Sequence, residues 1–256
     1  MANAQNIERV NVLGVGISVL NPGSCVQAMR EALRRKTKGY ICITGVHGVM
    51  ESQDDPEVKA MHNQAFLVTP DGMPMVWMGR LAGKPEMARV YGPDLLLDMC
   101  GVPGVRHFFY GGSNGVAQQL KAKLEQRFPG VQIVGVYEPP WRQLTLEEQA
   151  SLARQVHETR PDVLWVGLST PKQERFMAEY LPKLEVTLMV GVGAAFDFHS
   201  GRLKQAPRWM MRYGLEWLYR VYREPRRLWR RYLRNNPRFL VLALTQKLGF
   251  KKYSMT

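Results

Sequence analysis

Seven apolar, β-rich runs punctuate the first 200 residues: 10–17 (VNVLGVGI), 40–46 (YICITGV), 66–69 (FLVT), 107–112 (HFFYGG), 131–137 (VQIVGVY), 163–169 (VLWVGLS) and 187–196 (TLMVGVGAAF). Most are apolar throughout rather than alternating, the pattern of strands covered on both faces. Between them lie helix-period segments at 24–35, 116–127, 146–158 and 173–181. Thr145 with Glu148 three residues on gives the third of these a capping box. Strand–helix alternation of this kind predicts a parallel, Rossmann-like α/β sheet with helices on both faces. Such sheets bind ligands at the carboxyl ends of their strands.

The pattern changes near Pro207. From there to the end no strand signal remains, and two or three helices are expected, with Pro225 and Pro237 suited to first turns and Asn236 to an N-cap. An apolar stripe of Trp217, Leu218, Val221, Leu228, Trp229, Tyr232 and Leu233 faces a row of arginines. This divides the chain into an α/β core, 1–201, and an arginine-rich helical appendage, 202–256.

Charge sharpens that boundary. Residues 202–256 carry fifteen Lys and Arg against two Glu, which accounts for the whole net charge of +13; the first 201 residues are neutral. Such segregation implies an anionic partner for the tail. Arginines interleaved with Trp and Tyr, followed by the apolar run Phe239–Leu244, suit an amphipathic segment on an anionic membrane surface. No nucleic-acid-binding motif occurs and the core has no basic stripe, so nucleic acid is not the expected polyanion. The polar start and the lack of any apolar run of about 18 residues argue against a leader peptide or a membrane span. Cys25, Cys42 and Cys100 lack metal spacing, the five histidines are scattered, and no D-x-D motif occurs; no metal and no cofactor are expected.

Candidate chemistry sits at strand ends. Gly111, Gly112 and Gly115 follow a strand and open a helix, the setting of a phosphate or diphosphate cradle and equally of a tight strand-to-helix turn. The same stretch reads G-x-S-x-G around Ser113, which admits a serine hydrolase using Asp162 or Asp197 with His199. Asp71 follows a strand and precedes a helix; it is either an N-cap or turn aspartate or a catalytic carboxylate. Thr44 and Asp197 hold the same kind of position. Asp94 reads as a helix cap. The two glycines at 14 and 16 lack the third of a dinucleotide fingerprint and read as a turn. In the tail, Arg220, Arg227 and Arg230 share one helical face, and arginine forks suit a diphosphate.

Seven blocks carry a resemblance over most of the chain: Thr44 at a strand end, TPDGMPMVW around Asp71, RVYGPDL at 89–95, FFYGGSNGVAQQL with GVYEPPW, PDVLWVGLSTPKQERF at 161–176, GVGAAFDFHSGRLKQAPRWM at 191–210 and GLEWLYRVYREPRRLWRRYL at 214–233. Together they resemble the WecG/TagA/CpsF glycosyltransferases. That resemblance implies inverting, metal-independent transfer of a sugar from a UDP-sugar donor to a sugar on undecaprenyl diphosphate, in polysaccharide or cell-wall glycan synthesis. It places the enzyme in the cytoplasm, peripheral on the inner face of the membrane. It implies Asp71 as general base, Thr44 as an active-site threonine, Gln173 as a substrate-pocket residue, and Arg220, Arg227 and Arg230 as arginines closing over the diphosphate. Val46 stands where the family pattern T-x-N has Asn. The donor sugar is therefore left open among N-acetylmannosamine, its uronic acid and a hexose. A polyanion- or membrane-binding module without activity is the non-enzymatic alternative.

Overall fold

The computed structural model describes residues 7–255. Its strands are β1 (Arg9–Val12), β2 (Val15–Ser18), β3 (Gly39–Thr44), β4 (Leu67–Pro70), β5 (Arg106–Gly111), β6 (Gln132–Tyr137), β7 (Val163–Gly167) and β8 (Leu188–Gly191). Its helices are α1 (Pro22–Arg35), α2 (Val46–Asp54), α3 (Pro56–Gln64), α4 (Met73–Leu81), α5 (Gly92–Cys100), α6 (Val116–Arg127), α7 (Leu146–Thr159), α8 (Lys172–Tyr180), α9 (Ala195–His199), α10 (Arg208–Arg212), α11 (Glu216–Arg223) and α12 (Pro225–Lys247). Six strands form a parallel sheet in the order β4-β3-β8-β7-β5-β6, flanked by helices, as the alternating pattern predicts. The first apolar run is the exception. It folds back as the antiparallel hairpin β1–β2, because Leu13 (φ 52°) and Gly14 (φ 84°) turn the chain through the left-handed region.

By its contacts the chain forms two compact units. The second comprises 23–42 and 92–204. Here β5, β7 and β8 are almost wholly buried, whereas β6, at the sheet edge, is mostly half-exposed. His107 is buried within β5 and its Nδ1 accepts the Trp165 Nε1–H at 3.1 Å. The imidazole proton therefore resides on Nε2.

The first unit comprises 7–22, 43–91 and 205–255 of the described residues. The hairpin lies against β4, with Ser18 Oγ accepting from Val68 N at 3.1 Å, so this strand is fully buried. Gln246 of α12 pins the tail to that hairpin, accepting from Leu13 N and donating to Asn11 O, both at 3.0 Å. Arg234 and Arg238 reach Asp54 of α2 at 3.2 and 2.6 Å. The tail forms three helices, but Pro237 starts none of them: α12 runs through it. Leu228, Asn235, Phe239 and Ala243 are buried on both sides of that proline, and this packing outweighs a disruption of about 3 kcal/mol.

Candidate functional site

In the first unit, the ends of β3 and β4 are locked together. Asp71 N donates to Thr44 O at 2.9 Å. Gly45 is required between them, since a β-carbon there would lie 2.8 Å from the Asp71 carbonyl oxygen. Thr44 is 1% exposed, and its hydroxyl has no hydrogen-bond partner among the described residues.

The Asp71 side chain does not cap α4. Gly72 (φ 87°) takes the N-cap position, where no side-chain cap is made. The carboxylate turns to Arg89 instead, whose Nε and Nη2 both donate to Oδ1, at 3.1 and 3.0 Å. Oδ2 is left outside this clamp, on a side chain still 30% exposed. Arg89 Nη2 also donates to Glu216 Oε2 at 2.5 Å, and Tyr91 OH donates to Glu216 Oε1 at 3.3 Å. The guanidinium lies 4.2 Å from the centre of the Tyr91 ring. Burial opposes the charge on Arg89, but Asp71 and Glu216 outweigh it and its pKa is raised. Burial, then Glu216 and Asp71, pushes the Tyr91 phenol up.

Around this group stand His47, Arg220 and Arg231. His47, in the first turn of α2, has Nε2 3.1 Å from Glu51 Oε1. Burial foremost, then the fields of Arg231 and Arg220, holds its pKa down to about 3, so the imidazole is neutral at ordinary pH. Arg220 is largely buried and keeps its charge against burial through Tyr232, Glu216, Glu224 and Tyr91. Arg231 is held below the usual arginine range, by burial first and with Arg220 and Arg227 adding to the effect. Its Nε is buried without a partner among the described residues. The other two expected arginines lie further out: Arg227, 58% exposed, shares Glu224 with Arg220, at 2.7 and 3.7 Å, and Arg230 lies over the Trp229 ring at 5.3 Å. Arg231, one residue from Arg230, takes the inward place.

The tail is folded over α4 at Gly214. Its φ is +73°, and a β-carbon there would meet Trp77 at 3.1 Å and Met73 at 3.2 Å. Arg89, Tyr91, Glu216 and Arg231 were not singled out by sequence reasoning. One signal was present for Glu216, which is one of only two acids among the tail's fifteen bases.

The second unit gathers the remaining candidates. Gly111, Gly112 and Ser113 lead from β5 into α6, but several of the turn's amides are engaged within the protein. Gly112 N donates to Gly167 O at 3.3 Å. Gly115 N and Ala117 N donate to the Glu138 carboxylate at 3.0 and 2.9 Å. An internal carboxylate thus occupies the helix end where a phosphate was considered. Gln173 is 3% exposed. Its Oε1 accepts from Gly193 N at 3.1 Å, and its Nε2 donates to Glu174 Oε1 at 3.1 Å. Asp197 lies in the first turn of α9, and its carbonyl accepts from Ser200 Oγ at 3.1 Å.

The hydrolase arrangement does not form. His199 Nε2 is 2.8 Å from the Pro93 carbonyl, and no hydrogen bond joins Ser113 Oγ to a histidine among the described residues. Among those residues no three His, Cys, Asp or Glu side chains are gathered as a metal site, and no helix is long and apolar enough to cross a membrane.

An N-acetylglucosaminyldiphosphoundecaprenol N-acetyl-β-D-mannosaminyltransferase of Bacillus spizizenii is 32% identical over 221 residues, 85% of this chain and 83% of the relative. A protein of the same name from Bacillus subtilis is 31% identical over 189 residues, 73% of this chain and 71% of that one. Residues 10–253 match the glycosyl transferase WecG/TagA/CpsF family, and the chain is a glycosyltransferase belonging to that family.

Proposed function

We propose that this glycosyltransferase moves N-acetylmannosamine from UDP-N-acetylmannosamine to N-acetylglucosamine on undecaprenyl diphosphate, with inversion and without a metal. The observation that carries the reading is the Asp71 carboxylate, with Oδ1 held by two Arg89 donors and Oδ2 outside that clamp. Both named relatives act on this acceptor type with this sugar. In the proposed step, Oδ2 takes the proton of the acceptor hydroxyl as its oxygen bonds to the anomeric carbon. The bond from that carbon to the UDP oxygen breaks, and UDP leaves with the electron pair. Departing charge needs preorganised cations. Arg220 and Arg231 are suited to this task because burial deprives them of water and each lies in the other's field. Arg227 and Arg230, nearer the surface, supply the outer positive field. Thr44 lies beside the base. Gly111, Gly112, Ser113 and Asp197 are assigned to the nucleoside and sugar of the donor rather than to its diphosphate, since Glu138 takes the helix-end amides, with Gln173 shaping the Gly193 turn.

The tail, 202–256, is assigned to docking on an anionic cytoplasmic membrane face. Trp209, Tyr213, Tyr222, Leu233, Leu240, Leu244, Leu248 and Phe250 are exposed beside its arginines. Met210, Leu218, Tyr219, Val221 and Tyr222 line an apolar hollow of about 440 Å³ on it. Such amphipathic surfaces suit headgroup depth.

The test is UDP release from a panel of UDP-sugars with a GlcNAc-diphosphate prenyl acceptor in anionic vesicles. UDP-N-acetylmannosamine is expected to give the highest kcat/KM, and truncation before Arg202 to abolish vesicle binding and turnover together. Preference for a hexose or uronic acid donor overturns the sugar assignment. Full turnover by the truncated chain overturns the role of the tail.

A further inference from the structure

Arg89 is shared between two carboxylates from distant parts of the chain. One is Asp71, after β4; the other is Glu216, at the start of α11, and both accept from Nη2. The Arg89 and Glu216 side chains are only 14% and 16% exposed, so the contact is sheltered from solvent. A guanidinium facing a single carboxylate can engage one or both oxygens, and its planar fork favours the two-oxygen pose. Here that pose is not taken. Glu216 draws Nη2 toward itself, the Tyr91 ring supports the guanidinium plane, and Arg89 ends on Asp71 Oδ1 alone. Tyr91 OH in turn holds the other Glu216 oxygen.

We propose that Glu216 is a positioning residue for the base: by sharing Arg89 it keeps the guanidinium on Oδ1 and leaves Oδ2 to meet the acceptor hydroxyl. The inference rests on the reading of Asp71 as the base. It gives the tail a second task besides meeting phosphate charge, since α11 delivers the group that aims the proton acceptor. Without Glu216, Arg89 closes across both Asp71 oxygens and the base is misaligned.

A merely structural Glu216 would fix α11 and nothing else, and kinetics separate the two roles. The experiment measures kcat and donor KM for the full-length chain in anionic vesicles, with UDP-N-acetylmannosamine and the GlcNAc-diphosphate prenyl acceptor. Glu216→Gln is expected to lower kcat by about 10- to 100-fold, the scale of misplacing a reacting group by an ångström or so, with donor KM unchanged. Glu216→Asp, which keeps the charge, recovers part of the loss. In an Arg89→Ala background Glu216→Gln adds nothing, because its effect passes through Arg89. Wild-type kcat in Glu216→Gln, or a loss that adds in full to that of Arg89→Ala, overturns the proposal. If Glu216→Gln does not fold, Tyr91→Phe, which removes only the bond to Oε1, is expected to show a smaller kcat loss at unchanged KM; wild-type kcat there overturns it equally. Asp71→Asn keeps the two failures apart. Full turnover in that variant sinks the base reading, whereas an inactive Asp71→Asn beside a fully active Glu216→Gln sinks only the role of Glu216.

Discussion

The two units differ in how far the polar groups at their candidate sites are matched within the protein. Around Gln173 and Glu138, in the second unit, most polar groups find partners within the protein, although Glu174 Oε2 and His107 Nε2 are buried without one among the described residues. Gln173 uses both ends of its amide on Gly193 and Glu174, and Glu138 satisfies two amides at the start of α6. Around Asp71, in the first unit, the Thr44 hydroxyl and Arg231 Nε are buried without partners among the described residues, and His47 is kept neutral. Closed networks rigidify a fold, whereas buried groups left unmatched are costly and mark places where a ligand completes the set. The difference teaches that a glycine-rich turn between strand and helix is poor evidence of an anion site until the destinations of its amides are known.

The largest expected effect tests whether the first unit holds the reacting group. Asp71→Asn is expected to lower kcat by about 10²- to 10⁴-fold, the range for a general base, with little change in melting temperature. Gln173→Ala is the matching change in the second unit. It takes the partner from the part-buried Gly193 N–H and leaves Glu174 Oε1 with Thr170 Oγ1 alone, and is expected to cost about 1–3 kcal/mol of stability. Thermal melts beside steady-state kinetics check both. A Gln173→Ala protein with an unchanged melt and a raised donor KM breaks the contrast, because Gln173 would then touch substrate.

How much of this was legible follows the same division. The sheet could be read because its strands are buried on both faces and so are apolar throughout; β3, β5, β7 and β8 fall where the runs predict. The hairpin could not, because it depends on Leu13 adopting a positive φ, which that residue type disfavours. Two short helices, α2 and α3, escaped for lack of a clear apolar period, and Asp94 lies inside the first turn of α5. Asp71 was visible from its strand-end position. Its network was not: Arg89 lies 18 residues away, and Glu216 lies 127 residues from Arg89, so no local pattern links them. Helical periodicity put Arg220, Arg227 and Arg230 on one face, but the chain breaks at Glu224 between α11 and α12, so no single period joins Arg220 to the other two, and Arg231 rather than Arg230 turns inward.

A smaller effect distinguishes His107 from His47. Burial alone holds His107 down to about 4, whereas burial together with Arg231 and Arg220 holds His47 to about 3. Both folded values lie below the ordinary 6.5, so the unfolded chain binds protons first on acidification. Stability is therefore expected to be level above pH 7 and to fall steadily from about pH 6.5 toward pH 4. The fall is at most about 1.4 kcal/mol per histidine for each pH step of one crossed in that window. Melts across that range check the trend. The contrast sharpens on adding pyrophosphate. An anion on Arg220 and Arg231 offsets their field, so the His47 titration seen by NMR should move up while that of His107 stays in place. Equal movement of both, or of neither, removes the diphosphate from these arginines.

The smallest effect is expected at Glu138. Its carboxylate sits on the Gly115 and Ala117 amides as an anion sits at a helix N-terminus, which makes it a cap of the α6 dipole. Glu138→Gln keeps one of the two accepting oxygens, puts an NH2 donor in place of the other, and removes the charge. The loss should be that of a partly exposed helix-end charge, about 0.3–1 kcal/mol. For a chain of this size that lowers the melting temperature by about 1–4 °C. Because the glutamine oxygen still holds one of the two amides and the turn keeps its place, kcat and donor KM are expected to hold. If instead Glu138→Gln leaves the melt unchanged and alters donor KM several-fold, the carboxylate is a ligand-facing group, and the second unit is less closed than its hydrogen bonds imply.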